Sequence, residues 1–452
     1  MKSRQKRLSS ALVALATLAP LAAHGQDEAF LSWASRTLIP ISSLELDVDT
    51  DDLHAIGDLI GDARVVALAE GAHGGAEPLE LRNRLFKYLV EEHGFDAIAI
   101  ESGITESRAV HDYVLGGDGG LDTVVAQGFS WGFDRWPQNA ELIRYLREHN
   151  RNAADADSVH FFGFDVSNLP SFVGRGGVEL SLLTTLEYLD RVDPEASAKT
   201  RERLTSVFPG PLGETETERD VLTGAISELI AMLKRRQHEY ISLSSPDDYD
   251  WALQTAIAAR QTDLAMRIQY PLVPPTPDDR RRPAHEFQQQ RSRFMVDNVL
   301  WIMSQLGPDA KLMVFGSNSH VAATPIARNQ RGGPRISLGV YLREELGEDL
   351  VTIGNLTGEG ETGCKDMEAY RIVHEQQPTV DGLLSRLDTP MFVLDLRSPP
   401  ADVEDWLSQP RSIGSDLDIT SLTLAGAFDA LIFSGDTTPA CARDPGAPFE
   451  EP

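Results

Sequence analysis

Four short apolar runs, each closing on polar residues, restrict this chain more than any other feature. They are RVVALAE (64–70), FDAIAIES (95–102), VHFFGFDV (159–166) and KLMVFGSNSH (311–320). DLVTIGNL and MFVLDLRS, further along, are two more candidate strands. Runs of this kind are strands buried on both faces. Alternating with helices, they predict an α/β fold with a largely parallel central sheet flanked by helices. After RVVALAE the chain passes through a glycine turn to Pro78, well placed near a helix start. From there Leu81, Leu85, Tyr88 and Leu89 repeat at helical spacing. A helix from about Glu106 to Val114 is expected after FDAIAIES.

Between about 178 and 270 the texture changes. VELSLLTTLEYLDRV, ERDVLTGAISELIAMLKRRQHEYISL and DDYDWALQTAIAARQTDLAMRIQ have helical periodicity and no strand-like run. The expected organisation is an α/β core in two parts (26–177 and 271–400), separated by an all-helical insertion (178–270) near the site. A C-terminal extension (401–452) follows. YPLVPPTPDDRRRP (270–283) is a connector rich in proline and charge. A long helix at about 286–305 precedes the strand at 311.

The amino terminus has the layout of a cleavable export signal. MKSRQKR supplies positive charge, LSSALVALATLAPLAA is a short apolar stretch, and Ala23 and Gly25 are small residues suited to cleavage after Gly25. A membrane anchor fits less well, because the run is short and interrupted by Pro20. No other stretch approaches transmembrane length. A periplasmic or secreted protein is therefore expected, with no stable membrane insertion of the mature chain. The formal net charge of -28 argues against nucleic acid as a partner, since phosphate contacts need clustered Lys and Arg. It mildly favours cationic small molecules. Two cysteines, Cys364 and Cys441, are equally compatible with a disulfide and with two free thiols.

Parallel strands joined by right-handed crossovers point the same way, so their last residues share one edge. Glu70 and Glu101 close the first two runs and Asp165 the third, while Ser317 and His320 follow the fourth. Ligands of open α/β sheets bind outside the carboxyl edge. The rim should therefore gather Glu70, His73, Glu101, Asp165 and His320, with the glycine turn allowing close approach of a ligand. Each acid also has a plainer reading as a helix N-cap, Asp165 best of all because Val-Ser-Asn follows it. A lone histidine is more often structural than catalytic.

At this point the residues resemble a family. AEGAHGGAE is similar to the Gly-Glu-x-x-His-Gly motif of the erythromycin esterases, with Ala69 where that family often has glycine. Arg82 lies nine residues after His73, and GFDAIAIES carries Glu101. The similarity continues through WPQNAELIRYLREHN, VHFFGFDV, RSRFMVDNVLWI and LMVFGSNSHVA. It implies a hydrolase without metal or other cofactor, acting on a small-molecule ester or lactone. His73 would be the general base for water, with Glu70, Glu101 and His320 as its catalytic neighbours. Arg82 and Arg291 would bind anionic charge or fix the acids, beside Ser317 and Asp165 at the substrate. Imidazole chemistry suits proton abstraction near neutral pH, and adjacent carboxylates favour the imidazolium. One departure stands out: the family's His-Asn-x-His reads SNSH here, with Ser317 in place of the first histidine.

Two rivals remain open. The same acids and imidazoles could hold a divalent ion and its water. Alternatively, the pocket could bind a ligand without catalysing anything, a reading that Ser317 favours. There is no His-Glu-x-x-His helix and no Walker loop.

Overall fold

The computed structural model describes residues 25–154, 157–167, 177–205, 215–273, 281–327, 334–363, 370–372, 379–415, 419 and 421–440. The segment up to residue 24, where an export signal was expected, and both Cys364 and Cys441 lie outside the described residues.

The apolar runs form strands β2 (Val65–Glu70), β3 (Ala97–Gly103), β4 (His160–Asp165) and β5 (Leu312–Ser317). They join β1 (Ile39–Pro40), β6 (Leu350–Thr362), β7 (Tyr370–Ile372), β8 (Met391–Asp395) and β9 (Ala430–Thr437). The spatial order is β1-β8-β9-β6-β2-β5-β3-β4, with β7 paired to β6. From β9 to β4 every neighbouring pair is parallel, while β8 and β1 are antiparallel at one edge. The unbroken apolar character of the runs follows from burial on both faces. Val65, Ala67, Ala97, Ala99 and Val314 enter one core, and Val66, Leu68, Ile98, Ile100 and Phe315 enter the other. Each fully buried aliphatic side chain contributes on the order of 1.5–3 kcal/mol.

The helix after β2 runs Ala76–His93, closed by Gly94 in the left-handed region. Between β4 and β5 every described element is helical: Gly177–Val192, Pro194–Leu204, Glu216–Arg235, Gln237–Leu243, Pro246–Gln269 and Arg281–Leu306. Local chemistry starts several of them. Thr215 and Glu218 form a capping box, and the side chains of Asp193 and Ser245 accept the backbone N–H of Ala196 and Asp248. The first five pack their own core of Leu182, Leu189, Ile226, Leu229, Tyr240 and Tyr249. They meet the sheet just past the ends of β3 and β4. There Thr105 Oγ1 lies 2.8 Å from Ser181 Oγ, and Thr262 Oγ1 donates to the Ser167 carbonyl at 3.1 Å.

The structure differs from the expectation at the C-terminal end. Segment 401–452, read as an extension, supplies β9, which lies inside the sheet between β6 and β8. Ala430–Ser434 is buried along its length. Its apolar run is not followed by a described helix, so the strand-helix alternation that marked the other strands did not reach it. Among the described residues, no helix is long and apolar enough to cross a membrane.

Candidate active site

β2, β5, β3 and β4 lie side by side and parallel, so their carboxyl ends present Glu70, Ser317, Glu101 and Asp165 along one rim. Glu70 and Ser317 are register partners. Glu101 sits where β3 departs from regular pairing with β4, between Ile100 and Gly103. Gly163 makes that irregularity possible, since a Cβ there would lie 2.4 Å from the Ser102 carbonyl oxygen. Gly316 leaves room on the other side, where a Cβ would approach Glu101 Oε2 to 3.3 Å.

Two linked groups occupy the rim. In the first, His73 Nδ1 lies 2.7 Å from Glu70 Oε1. A carboxylate only accepts, so Nδ1 carries the proton and neutral His73 presents its lone pair on Nε2. Glu70 is buried, whereas the His73 side chain is 38% exposed. Phe133 lies beside the imidazole, with ring centroids 5.3 Å apart.

In the second group, Arg291 clamps two acids. Its Nε donates to Asp165 Oδ1 at 2.9 Å, and its Nη2 reaches Asp165 Oδ2 at 2.5 Å and Glu101 Oε1 at 3.0 Å. Glu101 Oε1 is also 3.0 Å from His320 Nε2, and Glu101 Oε2 accepts the Ser317 backbone N–H at 3.1 Å. Burial alone would raise the Glu101 carboxyl, but the hydrogen bond from His320 and the charge of Arg291 hold it well below the usual carboxylate range. Burial pushes His320 down to about 4, with Glu101 opposing and Arg335 reinforcing that shift. The consistent state is an ionised Glu101 beside a neutral His320, with positive charge on the arginines. Arg291 stays protonated, because Asp165 and Glu101 outweigh its burial.

The structure thus brings together His73, Glu70, Glu101, His320, Arg291, Ser317 and Asp165. Arg82 stands apart from the exposed face. It is 1% exposed, donates to Asn83 Oδ1 at 2.7 Å and lies over the Phe315 ring. Burial lowers it to about 10, against the carboxylates of Glu70 and Glu141. Arg82 can therefore steady Glu70 from within, and Arg291 is occupied by the two acids. Ser317 Oγ pairs with Ser319 Oγ at 2.9 Å. The glycine turn lets other parts of the chain approach closely. Gly74 takes φ 83° with its carbonyl accepting the Gly363 and Ala440 N–H groups, and a Cβ on Gly75 would meet Thr437 at 2.6 Å.

Three participants escaped the sequence reading. Arg335 lies against His320, placed there by its backbone bridge to Ile326. Trp131 and Phe133 come from the turn WGF, where the only signal was aromatic residues around a glycine. Trp131 has φ 64°, a left-handed conformation costly for a bulky residue. Its Nε1 donates to Asp165 Oδ2 at 3.1 Å, and its ring stacks on the Arg291 guanidinium.

Buried neutral histidines should make the fold acid-sensitive. His320 titrates near 4, and His111 is pushed down to about 3 by its burial, then by His160 and Arg108. Unfolded histidine takes its proton near pH ~6.5. The unfolded chain therefore binds protons first as pH falls, and stability is lost from about pH 6.5 toward the folded-state values. Denaturant midpoints should fall between about pH 7 and pH 5, and His111→Phe should flatten that fall; an equal slope in the variant would contradict the assignment.

A groove of about 900 Å³ lies elsewhere, between helices Pro194–Leu204 and Glu216–Arg235 and lined by Lys199, Glu202, Arg203, Glu228 and Arg235. None of the rim residues lines it. Among the described residues, no three His, Cys, Asp or Glu side chains are grouped so as to hold a metal ion.

Fold and rim together define an α/β protein with a Glu-His pair and an arginine-clamped carboxylate at the carboxyl edge of a parallel sheet. The chain belongs to the erythromycin esterase family, whose model matches residues 90–437, and is a hydrolase by that membership. Erythromycin esterase type II of Escherichia coli is 22% identical over 419 residues, covering 89% of this chain and 96% of its own. The hydrolase-named protein YbfO of Bacillus subtilis is 23% identical over 400 residues, covering 84% of each chain. Among solved structures, a Bacillus cereus protein superposes with a TM-score of 0.76 at 20% identity, over 92% of this chain and 99% of its own. A mutant of erythromycin esterase EreC in its open conformation gives 0.65 at 17% identity, over 89% and 98%.

Proposed function

We propose that the chain hydrolyses a carboxylic ester or lactone, using water activated by His73. The observation that carries this reading is the His73-Glu70 contact. Glu70 fixes the Nδ1–H tautomer and compensates the imidazolium that forms as Nε2 takes a proton from water. Hydroxide equivalent attacks the carbonyl carbon, the carbonyl electron pair moves to oxygen, and collapse expels the alkoxide. The proton held on His73 Nε2 is then returned to that leaving group. Glu101, held ionised by Arg291, adds negative potential that favours the imidazolium.

Ser317 separates this rim from the two-histidine pattern of the family. It leaves one solvent-facing histidine among the described rim residues and weighs against carrying over the substrate named for the relatives. The same replacement favours the second reading, a ligand-binding protein without turnover. A panel of esters and lactones, assayed with wild type and His73→Ala in parallel, decides between them. Turnover that requires His73 supports the esterase reading, and saturable binding with no turnover supports the other. The metal rival has its own test. Hydrolysis is expected to survive chelation, whereas loss restored by a divalent ion would move the chemistry to metal-activated water.

A further inference from the structure

Arg335 approaches His320 in an unusual way. One guanidinium nitrogen, Nη2, lies 2.7 Å from Nδ1 and 3.3 Å from Nε2. A nitrogen this close to both ring nitrogens sits over the imidazole, since a position along one lone pair would be far from the other. A cation over a ring face is attracted by a neutral aromatic and repelled by an imidazolium. Arg335 is 2% exposed, so little water screens the contact. Its Nη1 also reaches Ser319 Oγ at 3.3 Å, which ties the guanidinium to the helix carrying His320. On the opposite side, His320 Nε2 faces Glu101 Oε1 at 3.0 Å. A carboxylate can only accept, so Nε2 must carry the hydrogen.

We propose that Arg335 is a positioning residue that holds His320 as a neutral, Nε2-protonated imidazole, so that His320 donates to Glu101 and leaves His73 as the site's only acid-base histidine. The inference rests on the hydrolytic reading only for that last clause. The charged groups facing His320 are Glu101 from β3, Arg291 from helix Arg281–Leu306 and Arg335 from the segment after Ile326. Glu101 alone would favour the imidazolium, and the two guanidiniums together with burial oppose it. The arrangement gives Ser317 a physical context. With no histidine at that position and His320 committed to Glu101, proton transfer falls to the Glu70-His73 pair.

The test is imidazole NMR on the full chain labelled with nitrogen-15 histidine, with the His320 signals assigned by their loss in His320→Gln. Wild type should show the Nε2–H tautomer and no titration of His320 between about pH 8 and pH 5, where an ordinary histidine changes state. Arg335→Gln removes the cation and should raise the His320 midpoint by about one pH unit or more, while Arg335→Lys should shift it less. A wild-type His320 that titrates near ~6.5, or carries its hydrogen on Nδ1, overturns the proposal. So does an unchanged midpoint in folded Arg335→Gln. If that variant does not fold, the wild-type tautomer and titration decide alone. None of these readouts needs a substrate, so failure of the hydrolytic reading is seen separately, as absent turnover across the ester panel.

Discussion

His73→Ala should lower turnover by roughly 10²–10⁴-fold, the usual worth of a general base, and leave the fold intact. The residue sits in the turn between β2 and the helix Ala76–His93, with its side chain 38% exposed. Little apolar area is lost, so thermal unfolding should change by less than about 1 kcal/mol. The neutral imidazole is the active form, so wild-type rates on any substrate it turns over should rise with pH as His73 loses its proton. Near-normal turnover in folded His73→Ala would return the turn to a structural role.

Arg291→Met is expected to cost about 3–5 kcal/mol of stability, because it leaves Glu101 and Asp165 buried with their shared cation gone. The methionine keeps much of the aliphatic volume, which separates lost charge from lost packing. Trp131 should loosen with it, since its indole rests on the same guanidinium and on Asp165. Denaturant unfolding of the two proteins measures the difference. A loss below about 1 kcal/mol would mean that the acids accept protons in place of the ion pair, and the description of Glu101 as a held carboxylate would fall.

The parallel core was legible because burial on both faces leaves a direct mark on composition. β2 to β5 announce themselves as unbroken apolar runs, and the polar residues closing them land on one edge by the geometry of the crossover. Glu70, His73, Glu101, Asp165 and His320 could therefore be grouped before any distance was known. β9 left the same apolar mark, yet lacked the following helix that made the others recognisable. Pairings between distant side chains were not legible. Whether Arg291 binds a substrate anion or clamps two acids depends on 2.5–3.0 Å contacts made across 126 and 190 residues of chain. Arg82 illustrates the same limit. The resemblance implied that it binds anionic charge or fixes the acids, and the helix carries it inward against Phe315 and Asn83. Arg335 has no periodicity or motif around it, and a backbone bridge to Ile326 helps bring it to His320. The glycines of the turn marked close approach correctly, and the approaching partner is the chain itself, at Gly363 and Thr437.

In the proposed mechanism Nε2 of His73 takes the proton from water while Nδ1 is held by Glu70. His73→Gln tests this step most directly, since glutamine can still hydrogen-bond but has no basic nitrogen. Its kcat should be measured on an ester or lactone that the wild type turns over. A loss nearly as large as that of His73→Ala is expected, at unchanged thermal stability. A kcat within about threefold of wild type would contradict the proposed step, because a true general base contributes at least ~10²-fold.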